Sequence, residues 1–349
     1  MRVRSFRGQT YDEVFATCDL PPEPGAGALS EAVDRFRHRT GGIPLTAVVF
    51  GTLGARSGEL PDLPAVHAGD QYPRRSPSAA LEIRGIVPTS PAVTVDAVAP
   101  GAVAVRSDGT TRLVCAVDRP AGAGFGAQAA EAFETVASAL ARAGLKPQHI
   151  SRTWYFIGDI DHNYEEFNTV RNSYFDAWGL TRYPASTGIG AGLPGTASIS
   201  VLVEATDALE GQFGTFDTGL QCPPVTYGPR FVRANEVVCN GLRTVNISGI
   251  SSVTRDGSSL SGDLDALVDH TLRSFFDLLA STGMTAQDIA SSYVYCKGDE
   301  VRRVYERYAE ERQLSFPRLV NHVDVCRPDL ALEIEARAVR PVPAAEHLS

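Results

Sequence analysis

Apolar residues recur at helical spacing in two places, Phe133, Val136, Leu140 and Leu145, then Leu264, Leu267, Val268, Leu272, Phe275 and Leu279. Each run stops at a glycine, Gly144 and Gly283, 139 residues apart. The two glycines lead into similar segments: a β-rich run (RTWYFIG at 152–158, SSYVYCKG at 291–298), then a second amphipathic helix over 165–180 or 300–314. Each copy closes on a strand ending in Glu-Ala, SISVLVEA at 198–205 and LALEIEA at 330–336. Strand-turn pieces precede each copy, RLVCAVDRP at 112–120 and TVNISGISSV at 244–253. The chain therefore reads as a tandem repeat of β-β-α-β-α-β-β, an α+β arrangement of mixed sheets with helices on one face.

Residues 1–98 are harder to read, because Pro and Gly break them up: PPEPGAG at 21–27, and a polar, Pro-bearing stretch at 70–78. Short buried strands are predicted at LTAVVFGTLG (45–54) and LEIRGIV (81–87). The expected partition is an N-terminal segment 1–98, either a partial unit or an extension, a first repeat 99–222 and a second repeat 223–349. A sheet with helices on one face leaves its other face apolar. Two or three such sheets must then pack together, within one chain or between chains, and the clefts between them suit ligands.

Composition narrows the function. Among 349 residues, 32 Lys and Arg stand against 41 Asp and Glu, a net charge of −9, which leaves no basic footprint for nucleic acid. A small anionic substrate stays possible, since a few arginines in a cleft can oppose the global sign. No run approaches the ~20 apolar residues of a membrane helix, so a cytoplasmic protein that does not enter the membrane is expected. The 6 cysteines form no CxxC pair and the 7 histidines no paired spacing, so no metal site is expected. The Gly188–Gly192 run GIGAG lacks the Lys-Ser/Thr of a phosphate loop.

The closing segment PRLVNHVDVCRPDLALEIEA at 317–336, with the turn NISG at 246–249 and the two-helix order, resembles the Rid (YjgF-like, chorismate-mutase-like) fold. Five pieces in order resemble the chorismatases within it: RTWYFIGDI (152–160), YEEFNTVRNSYFDAWGL (164–180), YPASTGIGAG (183–192), YGPRFVRA (227–234) and DVCRPDLALEIEA (324–336). The resemblance implies an enzyme of secondary metabolism that releases pyruvate from chorismate. It would leave 3-hydroxybenzoate or a dihydroxycyclohexadiene carboxylate, and it implies no cofactor. Rid-like units pack as trimers, so a homotrimer is expected, unless the N-terminal third acts as an internal partner.

Enol-ether cleavage needs a carboxylic acid that stays protonated near neutral pH. Glu333 is the candidate acid: it lies on an apolar strand whose burial would raise its pKa, and the chorismatase pattern places the acid there. Glu335, two residues on, shares its face. Arg152, Arg233 and Arg318 are candidates for binding carboxylates, since the guanidinium fork grips a carboxylate with two hydrogen bonds. Arg318 lies 15 residues before Glu333, in the segment where Rid imine hydrolases carry their Arg and Glu. Imine hydrolysis is therefore an alternative activity, and a non-catalytic binder of small carboxylates is another.

In the first repeat the corresponding residues are Ser186 or Thr187 and Ser200 or Leu202, so one working site per chain is expected, in the second repeat. The resemblance gives Cys326 a local role in the pocket and allows Tyr227 a hydrogen bond to substrate. The stretch Ile250–Asp256 departs from the chorismatase pattern and puts a hydroxyl at Ser251. Trp154 and Trp178 are expected in the core.

Overall fold

A computed structural model of the chain describes residues 1–20, 27–51, 60, 63–72, 79–209 and 213–342. The Pro-Gly stretch at 21–26 and positions 73–78 lie outside the described residues. The described residues form three sheets. The first unit contains β1 (Arg2–Phe6), β2 (Tyr11–Leu20), α1 (Ala28–Thr40), β3 (Ile43–Gly51), β4 (Ala65–Ala68) and β5 (Ala79–Pro88). The second contains β6 (Thr94–Ala99), β7 (Ala102–Ser107), β8 (Thr110–Val117), α2 (Phe125–Ala143), β9 (Ile150–Ile157), α3 (Ile160–Ala177), β10 (Ala185–Gly190) and β11 (Ile199–Thr206). The third contains β12 (Thr215–Phe216), β13 (Ala234–Cys239), β14 (Leu242–Ser251), α4 (Leu264–Ser281), β15 (Ile289–Cys296), α5 (Asp299–Glu311), β16 (Leu319–His322) and β17 (Leu332–Pro341).

The three strand orders share one pattern, β4-β3-β5-β2-β1, β10-β9-β11-β8-β7-β6 and β16-β15-β17-β14-β13-β12. In each, the edge strand runs parallel to its neighbour and the closing strand pairs antiparallel on both sides. The N-terminal segment is thus a third unit of the same topology, not an extension. The unit boundaries also move, because β6 pairs with β7 in the second sheet and β12 with β13 in the third. One boundary lies between β5 and β6, the other between β11 and β12. Gly144 and Gly283 do end α2 and α4, with φ of 80° and 72°, a left-handed turn that a side chain would strain.

Each unit lays its helices on the outer face of its sheet, over its own apolar core. The inner faces of all three sheets meet in one shared core, where the Phe50 ring lies 4.8 Å from Tyr293 and 6.2 Å from Phe156. The three sheets of one chain thus wall a single core, and the N-terminal unit supplies the third wall.

A β-bulge at the same place in each unit fixes which residues correspond. It precedes the pairs Thr46↔Arg84, Arg152↔Glu204 and Ser291↔Arg337. Along the closing strands the corresponding residues form three rings: Arg84, Glu204 and Arg337; then Glu82, Leu202 and Glu335; then Ala80, Ser200 and Glu333. The first ring is a buried ion triad. Arg337 donates to Glu204 Oε2 at 2.6 Å and Arg84 donates to Glu204 Oε1.

Burial alone would raise the pKa of Glu204, but the guanidiniums of Arg337 and Arg84 overcome it and hold the carboxyl at about 2. The folded value is depressed, so the stability it contributes is present above the unfolded carboxylate range and lost as pH falls toward 2. Glu204→Gln removes the charge between the two guanidiniums, leaving Arg84 with Glu82 at 3.4 Å and Arg337 with Asn246 Oδ1 at 3.1 Å, and should cost at most about 3–5 kcal/mol, read by urea denaturation at neutral pH. The difference from the parent chain should shrink as the pH is lowered.

Candidate active site

A cavity of about 320 Å³ opens between the second and third units. One wall is α3, whose Tyr164, Phe167, Asn168 and Arg171 share a helix face through spacings of three and four. The opposite wall comes from the third unit, with Tyr227 and Arg233 before β13 and Cys326 and Arg327 before β17. Gly249 and Ser251 of β14, with Glu333 of β17, form the floor. The site expected within the second repeat is thus shared, because the first repeat supplies an entire wall.

Glu333 is buried, at 4% exposure. Burial raises its pKa, the charge of Glu335 adds to this, and Arg233 and Arg152 pull against it, leaving the group at about 8. Its carboxyl occupies space that only a glycine leaves. A Cβ at position 249 would lie 1.7 Å from Glu333 Oε1 and 2.5 Å from Cδ. Cys326 adjoins it, with a thiol pushed up to about 12, first by burial and then by Glu333. At neutral pH it is a thiol, not a nucleophilic thiolate.

Three guanidiniums serve the cavity. Arg233, 2% exposed, donates through Nη2 to the Tyr227 hydroxyl and the Cys222 carbonyl, both at 3.2 Å, while its buried Nε has no partner among the described residues. Arg327 stands 5.0 Å from the Tyr227 ring centre and donates to the Gly257 carbonyl at 2.8 Å. Arg171, 3% exposed, rests 5.3 Å from the Phe167 ring centre and bonds to Asn172 Oδ1 at 3.1 Å. Asn168 Oδ1, also in the lining, is buried without a partner among the described residues. Unpaired polar atoms of this kind suit a polar ligand.

Of the candidates named from the sequence, the cavity gathers Glu333, Cys326, Tyr227, Arg233 and Ser251. The Ser251 hydroxyl donates to the Leu332 carbonyl, so it ties β14 to β17. Arg152 lies outside the cavity lining, packed over Trp154 at 4.6 Å and bonded to Glu335 and to Thr187 Oγ1.

Arg318 is also elsewhere and bonds to the Leu314 carbonyl at 2.7 Å. It precedes Leu319, which pairs with Tyr293, so it corresponds to Ser186 in the second unit. Its edge strand β16 borders the first unit, where the His322 N–H donates to Asp70 Oδ1 at 3.1 Å. Arg318 is thus absent from the lining of the cavity that holds Glu333. Ser200 is the counterpart of Glu333 in the second unit, and its hydroxyl donates to the Asp118 carbonyl at 2.6 Å.

Sequence reasoning missed Arg171, Asn168, Tyr164 and Arg327. Arg171 carried a signal: Ile160, Tyr164, Phe167, Arg171 and Phe175 form one stripe of α3, and a cation within it needs a reason. No cluster of three metal-ligating side chains occurs among the described residues, and none of their helices is long and apolar enough to cross a membrane.

Residues 90–206 match the family model described as endoribonuclease L-PSP, and the chain as a whole has the architecture of tandem Rid-like units. That architecture is shared with a solved chorismatase structure, which is 19% identical, with 93% of this chain and 98% of that chain covered at a TM-score of 0.67. Single-unit structures match about a third of the chain. Yeast Mmf1 is 18% identical over 37% of this chain and 99% of its own, at a TM-score of 0.32. A Rid-family protein of unknown function, YyfA from Yersinia pestis, is 21% identical over 36% and 98%, at 0.30. No curated protein sequence matches the chain.

Gly249→Ala should displace the Glu333 carboxyl and cost about 1–3 kcal/mol of stability by overpacking. Thermal unfolding and a crystal structure of the variant would check this; an unmoved carboxyl at unchanged stability would contradict it.

Proposed function

We propose that the protein cleaves the enolpyruvyl ether of chorismate, with Glu333 as general acid. The observation that carries this reading is a buried carboxyl of pKa about 8 facing a cavity edged by Arg171, Arg233 and Arg327. The shared architecture with a solved chorismatase supports it. A dianion meets one guanidinium from the second unit and two from the third, and each can take a carboxylate through charge-assisted hydrogen bonds.

The acid form of Glu333 delivers its proton to the terminal methylene carbon, and the ether carbon becomes an oxocarbenium ion. Capture by water gives a hemiketal that collapses to pyruvate and a ring alcohol. Capture by the neighbouring ring hydroxyl gives a cyclic ketal instead; loss of the ring proton on the ether-bearing carbon, with cleavage of the other ring C–O bond, aromatises the ring, and the remaining hemiketal collapses to pyruvate and a hydroxybenzoate. The Glu333 carboxylate recovers its proton from the captured nucleophile, so no external acid is consumed. Cys326, a neutral thiol beside the acid, narrows this end of the cavity, and 3-hydroxybenzoate is the expected aromatic product. Arg318, on which the imine-hydrolysis alternative relied, is not in the lining of this cavity.

Purified protein given chorismate should release pyruvate, followed by a coupled reductase, with the ring product identified by chromatography. Glu333→Gln should lower kcat by about 10²–10⁴. The acid form is the active one, so kcat/KM should be level below neutrality and fall as pH rises through about 8. Tight binding of chorismate without pyruvate release would replace this reading with that of a carboxylate-binding protein.

A further inference from the structure

Glu335 lies on the same face of β17 as Glu333, yet outside the cavity lining. Four donors converge on its carboxylate: Arg152 Nη2, Thr187 Oγ1, Trp154 Nε1 at 2.7 Å and Tyr295 Oη at 3.2 Å. Three of the four come from the second unit, so this carboxylate also joins two units.

Two links tie the group to the acid. Tyr295, which donates to Glu335, sits opposite Glu333 in the β15–β17 register. Thr187 Oγ1, which also donates to Glu335, accepts from the N–H of Gly249, the residue whose bare Cα makes room for the Glu333 carboxyl. A carboxylate saturated with donors is a poor proton donor itself but a fixed negative charge behind the one that is not saturated.

We propose that Glu335 is a positioning residue for the acid, a buried charge that disfavours a second charge on Glu333 and so keeps it in its proton-donating form. The proposal rests on the chorismate-cleaving reading for its kinetic arm only. The groups facing Glu333 are Glu335 on its own strand, Tyr295 of β15, Arg152 of β9, Tyr164 and Arg171 of α3, and Tyr227, Arg233, Cys326 and Arg327 from the flanking segments. β14 offers only Gly249 and Ser251. Glu335 is the nearest carboxylate among them in sequence, and Arg152 is the cation that partly cancels it.

The test uses two variants of opposite charge effect. Glu335→Gln should move the alkaline limb of the pH–rate profile at least one unit toward acid, a tenfold change in the protonation equilibrium. Arg152→Gln should move it the other way. A purely structural role would depress activity at every pH in both variants without moving the limb, and that result would overturn the proposal.

The infrared carbonyl band of protonated Glu333, assigned by its loss in Glu333→Gln, gives the same titration without any substrate. If the parent chain releases no pyruvate, the function fails while this band still decides the role of Glu335. Should either single variant not fold, Arg152→Met/Glu335→Leu removes the pair without stranding a charge. Its band should still titrate at lower pH than in the parent chain, and an unchanged titration would count against the proposal.

Discussion

A carboxylate gripped by two guanidiniums, one from each neighbouring unit, sets the depth at which the three sheets meet. Glu204 can reach both Arg84 and Arg337 only if β5, β11 and β17 arrive at the same level, and a slip by one residue would turn each side chain to the other face of its sheet. Removing three charged groups from water is costly, so this triad is better understood as fixing register than as supplying net stability. The apolar contacts among Phe50, Phe156 and Tyr293 contribute burial but would tolerate sliding.

With register fixed, the chemistry along β17 is set residue by residue. Arg337 belongs to the triad, Glu335 is saturated by donors from two units, and Glu333 emerges into the cavity beside Gly249. Three ionisable groups at alternate positions of one strand thus meet three environments, and only the last leaves a carboxyl whose neutral form is favoured. The two related clefts lack this outcome, since the residues corresponding to Glu333 are Ala80 and Ser200.

The helices, the main strands and the tandem order of residues 99–349 were legible because apolar spacing and helix-ending glycines are local signals. Glu333, Cys326, Tyr227 and Arg233 were legible through the chorismatase-like motifs that contain them. The absence of Arg318 from the cavity that holds Glu333 was not, because closeness along the chain says nothing about which residues line one cavity. Nor was the exchange of Arg152 for Arg171: Arg152 on β9 meets its partner Glu335 only through the packing of one unit on another. The first unit stayed hidden for a different reason. α1 runs 13 residues against 19 in α2, and the described residues between β3 and β4 hold no counterpart of α3, so no period in the sequence reached back to it.

With that hidden unit, one chain supplies all three walls of the shared core. In an assembly of identical subunits every substitution at the axis is made three times over, and a ring of two arginines and one glutamate cannot be encoded. Covalent linkage lets the three units differ at each position of the ring, so their likeness is carried by hydrogen-bond register and bulge position and not by the residues there.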